Sequence, residues 1–154
     1  MKPTLFNCCI LIFLSAAIAS GCNETKQVTE SLADHAGVNV RTPQVVVDEE
    51  MAIDAGGWQA RGFSLPSPRP VQITAQGVKH TDKGFRVLLM DAAQLESFKA
   101  RKEFRHIPSF EGLKIRSYSH TGELPSGSWV AVVANSENII NSMVVKLKIV
   151  VDPK

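Results

Sequence analysis

The chain has 154 residues, and its 17 Lys and Arg side chains are nearly balanced by 15 Asp and Glu side chains. A net charge of +2 lacks the strongly basic footprint that a phosphate backbone requires, so no nucleic-acid partner is expected. Charged residues make up 21% and hydrophobic residues 44% of the chain, which indicates one folded domain with a tail rather than a disordered protein.

The first 21 residues have the organisation of a secretory signal peptide. Met1 and Lys2 give a positive start, residues 5–18 are almost continuously apolar, and small residues follow at once. The apolar stretch of about 14 residues is shorter than the ~20 that cross a hydrocarbon core, which favours cleavage over a retained transmembrane anchor.

Two alternative cleavage sites fit this segment of the sequence. Ala17-Ile18-Ala19 has the form of an ordinary signal peptidase site, which would release a soluble protein. Ala19-Ser20-Gly21-Cys22 instead resembles the lipobox of bacterial lipoproteins, although Ala19 stands where Leu is most common. In that motif the Cys becomes acylated, and the new amino terminus then receives a further chain such as palmitate.

The cysteine count favours the lipoprotein. Cys8 and Cys9 lie in the apolar run, so Cys22 is the one thiol left in the mature chain. An unpaired thiol in an exported protein needs an explanation, and lipidation provides one because the thiolate accepts the diacylglyceryl group. We therefore predict lipidation at Cys22 and a membrane anchor there; a free or intermolecularly paired thiol is the alternative.

The residues after Cys22 indicate a destination and a tether. In the enterobacterial sorting pattern that this segment resembles, an Asp after the Cys causes inner-membrane retention, so Asn23 implies an outer-membrane lipoprotein that faces the periplasm or the cell surface. Residues 22–42 are polar and mixed, which predicts an acylated N-terminus and a flexible tether with a reach of about 25 Å.

Residues 43–154 are predicted to form a mainly β domain. Apolar residues alternate with polar ones in several short runs, most clearly over residues 143–151, and turns rich in Pro, Gly and Asx separate the runs. This pattern predicts about seven strands in an antiparallel, jelly-roll-like β-sandwich. Asp91 can cap one short helical insertion with Leu95 and Phe98 on its apolar face, which we expect to cover an end of the sandwich.

Several short motifs carry a resemblance to a known module. They are Gly57-Trp58, Phe63-Ser64-Leu65, the turn Leu124-Pro125-Ser126-Gly127-Ser128-Trp129, and Val132-Val133 followed by Asn135. In this order the chain looks like exported bacterial β-sandwich modules of the pre-peptidase C-terminal type. The resemblance implies an accessory or binding role and carries over no catalytic residue.

Histidines are the first residues of this chain that could carry catalysis or bind a metal. The four histidines are His35, His80, His106 and His120. Their spacing does not support a zinc site. His80 near Asp82, or His120 near Ser117 and Ser119, could serve a small envelope hydrolase, but solvated loop residues are the favoured interpretation.

The other candidate binding residues are acidic, basic and aromatic. Asp48, Glu49, Glu50 and Asp54 could contribute to a Ca²⁺ site, but adjacent strand residues point to opposite faces, so we expect no metal and no cofactor. The densest basic cluster consists of Lys99, Arg101, Lys102, Arg105 and His106. It could contact lipid phosphates or another anionic envelope polymer, but the favoured interpretation is a solvated helix face on which Glu96, Glu103 and Glu111 offset the charge. Trp58 and Trp129 are expected in the core, with an exposed stacking role as the alternative.

The sequence therefore predicts a non-enzymatic binding module of the cell envelope, attached through Cys22, with an envelope protein as a possible partner. A small hydrolase and a passive structural lipoprotein are the alternatives. The binding module should present an exposed strand or an apolar patch away from its tether.

Overall fold

The computed structural model describes residues 41–154. The predicted signal peptide, Cys22, His35 and nearly all of the tether lie outside the described residues, so the predictions for them stay predictions. The strands are β1 (Gln44–Ile53), β2 (Trp58–Leu65), β3 (Arg69–Lys79), β4 (Phe85–Asp91), β5 (Gly112–Ile115), β6 (Ser117–Leu124), β7 (Gly127–Ala134) and β8 (Met143–Val151). One short helix, α1 (Leu95–Lys99), follows a 3₁₀ turn at Ala92–Gln94, and a second 3₁₀ turn spans Pro108–Phe110.

The strands form two antiparallel four-stranded sheets, which confirms the predicted β-sandwich. One sheet has the order β1-β8-β3-β6 and the other the order β2-β7-β4-β5. Alternation places one face of each strand between the sheets, as in β8, where Leu147 and Ile149 are fully buried while Lys146 is exposed. The main core is this inter-sheet layer.

The strand register gives the sandwich two distinct ends. Gln44 at the start of β1 pairs with Val151 at the end of β8, so the described chain enters and leaves at one end, which we call the entry end. Ile53 at the other end of β1 pairs with Met143, and the connections 54–57, 80–84 and 135–142 lie there. We call this the far end; the ten residues of β1 separate the two ends by about 33 Å.

The helical insertion follows its predicted cap but covers a different surface. Asp91 is the N-cap, and its Oδ1 accepts a hydrogen bond from the Ala93 amide at 2.8 Å. Leu95 and Phe98 then pack on the outer face of the β2-β7-β4-β5 sheet, against residues that include Leu88 and Val132. The expectation that the insertion covers an end of the sandwich was wrong, because β4 and β7 are apolar on both faces and their outer face also needs a cover.

The sequence pattern also missed strand β6. Its residues are mostly polar or small, so no period-two hydrophobic signal marks it, yet it pairs with β3 from Gln76↔Ser117 to Arg69↔Leu124.

No helix within residues 41–154 is long and apolar enough to span a bilayer.

Candidate binding site

A cleft of about 610 Å³ opens at the far end, between the β1–β2 turn and the C-terminal end of α1. It is lined by Gly56, Gly57, Trp58, Phe98, Lys99, Arg101, Lys102 and Phe104. The cleft therefore combines aromatic rings with three of the five members of the basic cluster singled out in the sequence.

The aromatic part of the cleft is a row of rings in edge-to-face contact. The Trp58 and Phe98 centroids lie 5.2 Å apart, and those of Phe98 and Phe104 lie 5.1 Å apart at 90°. Trp58 remains 37% exposed, so its expected place in the core was wrong. Phe63 and Leu65 are the inward-facing residues of β2, and the period of two turns Trp58 outward toward α1.

Trp129 does occupy the core, as predicted. Its side chain is 8% exposed, and its indole Nε1 donates a hydrogen bond of 3.1 Å to the Pro125 carbonyl oxygen. This bond ties the β6–β7 turn to β7 at the entry end. The two tryptophans of the chain therefore have different roles, one in the core and one at the cleft.

The cationic part of the cleft is only partly neutralised. Lys99 Nζ lies 2.6 Å from Glu96 Oε1, an exposed ion pair on one face of α1. Arg101 and Lys102 form no ion pair within residues 41–154, although the exposed Glu103 follows them directly in sequence. The interpretation of this cluster as a fully offset helix face does not hold for these two cations.

Arg101 is held in an unusual backbone conformation at the end of α1. Its φ of 54° is left-handed, a region that favours glycine. The Arg101 amide donates to the Phe98 carbonyl, and the Lys102 amide donates to the Ser97 carbonyl at 2.9 Å. These two bonds form a Schellman motif, in which glycine is the usual residue at the position of Arg101. The guanidinium of Arg101 therefore lines the cleft at a position where most helices of this kind end in glycine, which has no side chain.

Beside the cleft, the β7–β8 loop exposes two large aliphatic side chains. Ile139 is 77% and Ile140 is 83% exposed. Asn138 Oδ1 accepts hydrogen bonds from the amides of Ile140 at 3.2 Å and Asn141 at 3.0 Å, so the loop tip is a defined turn. The Gly56 amide donates to the Asn138 carbonyl at 3.2 Å, which places the tip against a residue that lines the cleft.

Asn135 fixes this loop to the β1–β2 turn. It is fully buried, and its Nδ2 donates to the carbonyl oxygens of Asp54 at 3.1 Å and Asn141 at 2.9 Å. Its own amide donates to the Gly57 carbonyl at 2.9 Å. We call the assembly of the cleft, its three cations and the pair Ile139 and Ile140 the far-end face.

The histidine pairs considered for hydrolysis are not assembled in the described part of the chain. His80 is exposed in the β3–β4 connection, as expected of a loop residue. His120 lies in β6 and not in a loop; its ring packs edge to face on Phe110 with centroids 4.6 Å apart. Ser117 and Ser119 are exposed and alternate with His120 along the strand, so they project from the opposite face of the sheet.

Phe110 is buried in the main core, where His120 packs on its ring and Tyr118 packs against the same core. Burial raises the pKa of the Tyr118 hydroxyl to about 12, so it is neutral at physiological pH. A Cβ on Gly122 would lie 2.8 Å from the Phe110 ring, so only glycine leaves the space that this ring fills. We interpret these residues as a structural group that packs the core, not as a catalytic site.

His106, a member of the basic cluster, belongs to a separate ion-pair group. Its Nε2 lies 3.1 Å from one carboxylate oxygen of Glu111, and Arg86 donates to the other at 2.7 Å. The Arg86 guanidinium, as the main cause, holds the pKa of the Glu111 carboxyl below its ordinary value. Since Arg86 is in β4, the group fastens the end of the helical insertion to the sheet.

The acidic candidates are spread over both faces of β1. Asp48 lies 3.3 Å from the Lys146 ammonium, while Glu49 turns toward the other sheet and pairs with Arg61. Within residues 41–154, no three His, Cys, Asp or Glu side chains are grouped in a way that could hold a metal ion. Strand alternation thus separates the adjacent carboxylates Asp48 and Glu49, as the sequence predicts.

Comparisons with known proteins bear on the fold. No protein-family model matches the chain, and no curated protein matches it. Among solved structures, the pre-peptidase C-terminal domain of a collagenase from Bacillus anthracis is similar, with a TM-score of 0.50 and 10% sequence identity over 67% of this chain and 87% of that domain. At this identity the likeness shows a shared β-sandwich fold, which is the fold that the resemblance in the sequence implies.

Proposed function

We propose that this protein is a lipid-anchored, non-enzymatic binding module of the cell envelope, and that the far-end face is its binding surface. The observation that carries the proposal is the position of that face. Two exposed isoleucines and a cleft with aromatic and cationic lining lie at the end opposite Gln44, where the described chain enters. A tether at the entry end leaves such a surface free to meet a partner.

The anchoring part of the proposal is tested at Cys22. The intact protein should fractionate with the outer membrane and have a mature mass that includes acyl chains, whereas Cys22→Ala should give a soluble or uncleaved form. Asn23→Asp should redirect the protein to the inner membrane if the sorting pattern applies. A mature mass without acyl chains would end the lipoprotein interpretation.

The binding part is tested by crosslinking in the intact envelope. A photo-crosslinking residue at position 139 should yield adducts, whereas the same residue at position 45 should not, although Val45 is also an exposed apolar residue, at 54%. Position 45 is a matched control because it lies in β1 near the entry end. Equal adducts at both positions, or none at position 139, would remove the far-end face from the proposal.

A further inference from the structure

We infer that the far-end face docks on a bilayer surface that carries anionic phospholipid headgroups. This inference rests on the proposed function and names the ligand of the same surface. Three features of the face point to it: an exposed aliphatic tip, an aromatic side chain beside the tip, and cations around that side chain.

The aliphatic tip has the form of an insertion element. Ile139 and Ile140 are adjacent, exposed at 77% and 83%, and form the most exposed large apolar pair of the described domain. Transfer of such side chains from water into the acyl boundary of a bilayer is favourable in proportion to the apolar area removed from water. The turn around Asn138 already fixes the tip, so insertion requires little additional ordering of the loop.

The side chain that we assign to headgroup depth is Trp58, which lines the cleft. It is next to Gly57 in the β1–β2 turn, and Gly56 of that turn is hydrogen-bonded to the loop that carries the tip. Trp is enriched at membrane interfaces because its ring is largely apolar and its N–H is polar. With 37% of Trp58 exposed, the ring is accessible from the same end as the tip.

The cations supply charge complementarity to lipid phosphates. Lys99, Arg101 and Lys102 line the cleft beside Trp58. The acidic side chains of the far end include Asp54, which is exposed, and Glu137, whose Oε2 lies 3.2 Å from the Lys114 ammonium. Each Lys or Arg near an anionic membrane surface increases affinity about five-fold, and salt screens this increase.

A bilayer accounts for more of the face than an acidic polysaccharide does. A polysaccharide could stack on Trp58 and neutralise Arg101, but it would leave Ile139 and Ile140 in water. The geometry also permits docking by an acylated protein. The far end is about 33 Å from the entry end, and residues 22–42 can extend to about 70 Å.

The test uses the mature chain, residues 22–154, with Cys22→Ser so that acyl chains do not contribute to binding. Co-sedimentation is measured with vesicles of phosphatidylcholine alone and with vesicles that also contain phosphatidylglycerol. The inference requires binding to the anionic vesicles, weaker binding at high salt, and a blue shift of tryptophan fluorescence on binding. Equal binding to both vesicle types, or none to the anionic ones, overturns it.

Two variants locate the surface. Ile139→Ser combined with Ile140→Ser should weaken binding about tenfold or more, and Arg101→Gly about five-fold. Arg101→Gly also relieves a left-handed backbone, so its unfolding midpoint should be equal to or higher than that of the parent, which separates lost binding from lost folding. The controls are Val45→Ser and Lys154→Gln, exposed residues at the entry end, and both should bind as the parent does.

The outcomes separate this inference from the proposed function. If vesicles are not bound but crosslinks form at position 139 to an envelope protein or polysaccharide, the binding module stands and the lipid surface is wrong. If neither occurs, both are wrong. Vesicle binding that is unchanged in the isoleucine and arginine variants places the contact elsewhere and overturns the inference.

Discussion

At the scale of single residues, Asn135 has the largest structural effect relative to its size. Its amide group replaces backbone pairing where β7 has ended and β8 has not begun, by donating to carbonyls from two different connections. Asn135 is fully buried, and without its side chain the Asn141 carbonyl loses this hydrogen bond while the Asp54 carbonyl keeps only the Gly57 amide as a donor. Asn135, which the sequence motif contains, therefore holds the loop with the exposed isoleucines against the β1–β2 turn.

We expect Asn135→Ala to lower the free energy of unfolding by about 2 kcal/mol, because both hydrogen bonds from the buried Nδ2 are lost, although the Asp54 carbonyl keeps the Gly57 amide as a donor. Asn135→Asp should be at least as harmful, since a carboxylate would face the same carbonyls. Urea unfolding followed by tryptophan fluorescence measures both. The control is Asn141→Ala, whose side chain is exposed, and which should change stability by no more than about 0.5 kcal/mol. Equal effects at the two positions would contradict this role of Asn135.

At the scale of elements, the insertion between β4 and β5 acts as a third layer on the sandwich. Leu95, Phe98 and Phe104 cover the outer face of β4 and β7. Without this cover, the apolar side chains of Met90 and Val130 would be exposed to water. The five-residue α1 is too short to be stable alone, and its own N-cap residue Gln94 makes no side-chain hydrogen bond, so its position depends on this packing and on contacts at the two ends of the whole insertion. Asp91 caps the start, and Glu111 fastens the end to β4 through Arg86.

Loss of the Glu111 contact should weaken this layer in a pH-dependent way. At neutral pH, Glu111→Gln should destabilise the protein by about 1 kcal/mol, because Arg86 loses its charged acceptor. The folded pKa of Glu111 is below its ordinary value of 4.5, so the carboxylate contributes stability above pH 4.5, and this contribution is lost as the pH falls through the lowered folded pKa. Unfolding curves of parent and variant should therefore converge in acid.

The matched control is Glu123→Gln, an exposed residue of β6, which should leave stability almost unchanged at neutral pH. A constant difference between parent and Glu111→Gln down to strongly acidic pH would show that packing, and not the charge, is responsible.

At the scale of the whole molecule, the entry end is closed by a buried carboxylate. Asp152 is 5% exposed, and its oxygens lie 2.6 Å from Arg69 and 3.5 Å from Arg41. Its amide donates to the Pro70 carbonyl at 2.9 Å. The residue thus joins the start of the described domain, the start of β3 and the residues that follow β8 at the entry end.

Removal of this carboxylate should loosen the entry end. Asp152→Ala is expected to lower the free energy of unfolding by about 2 kcal/mol, since Arg69 loses a charged hydrogen-bond partner and the chain end loses its attachment. Hydrogen exchange should increase first in residues 41–45 and 150–154 and not in the far-end loop. Asp82→Ala, an exposed aspartate of the far end, serves as the control and should change neither measurement.

The sequence alone determined the fold class and several local features, namely strands, a helix cap and a core position. Period-two runs, such as the one that buries Leu147 and Ile149, specify strands wherever one face is apolar, because burial of that face fixes the register. The Asp91 cap and the Trp129 core position were also correct. These signals are local, since each depends on residues a few positions apart.

The tertiary structure decided everything that depends on which faces meet. Strand β6 is polar and carries no period-two hydrophobic signal, and His120, expected in a solvated loop, lies in that strand and packs on Phe110. The sequence predicts Trp58 in the core, but the period of two along β2 turns it outward, and the packing of α1 makes it part of a cleft with Arg101. The exposed isoleucines and the cleft are distant in sequence and adjacent in space because β1–β2 and β7–β8 connect the strands at the same end. Such adjacency comes from long-range strand pairing, which no single stretch of sequence encodes.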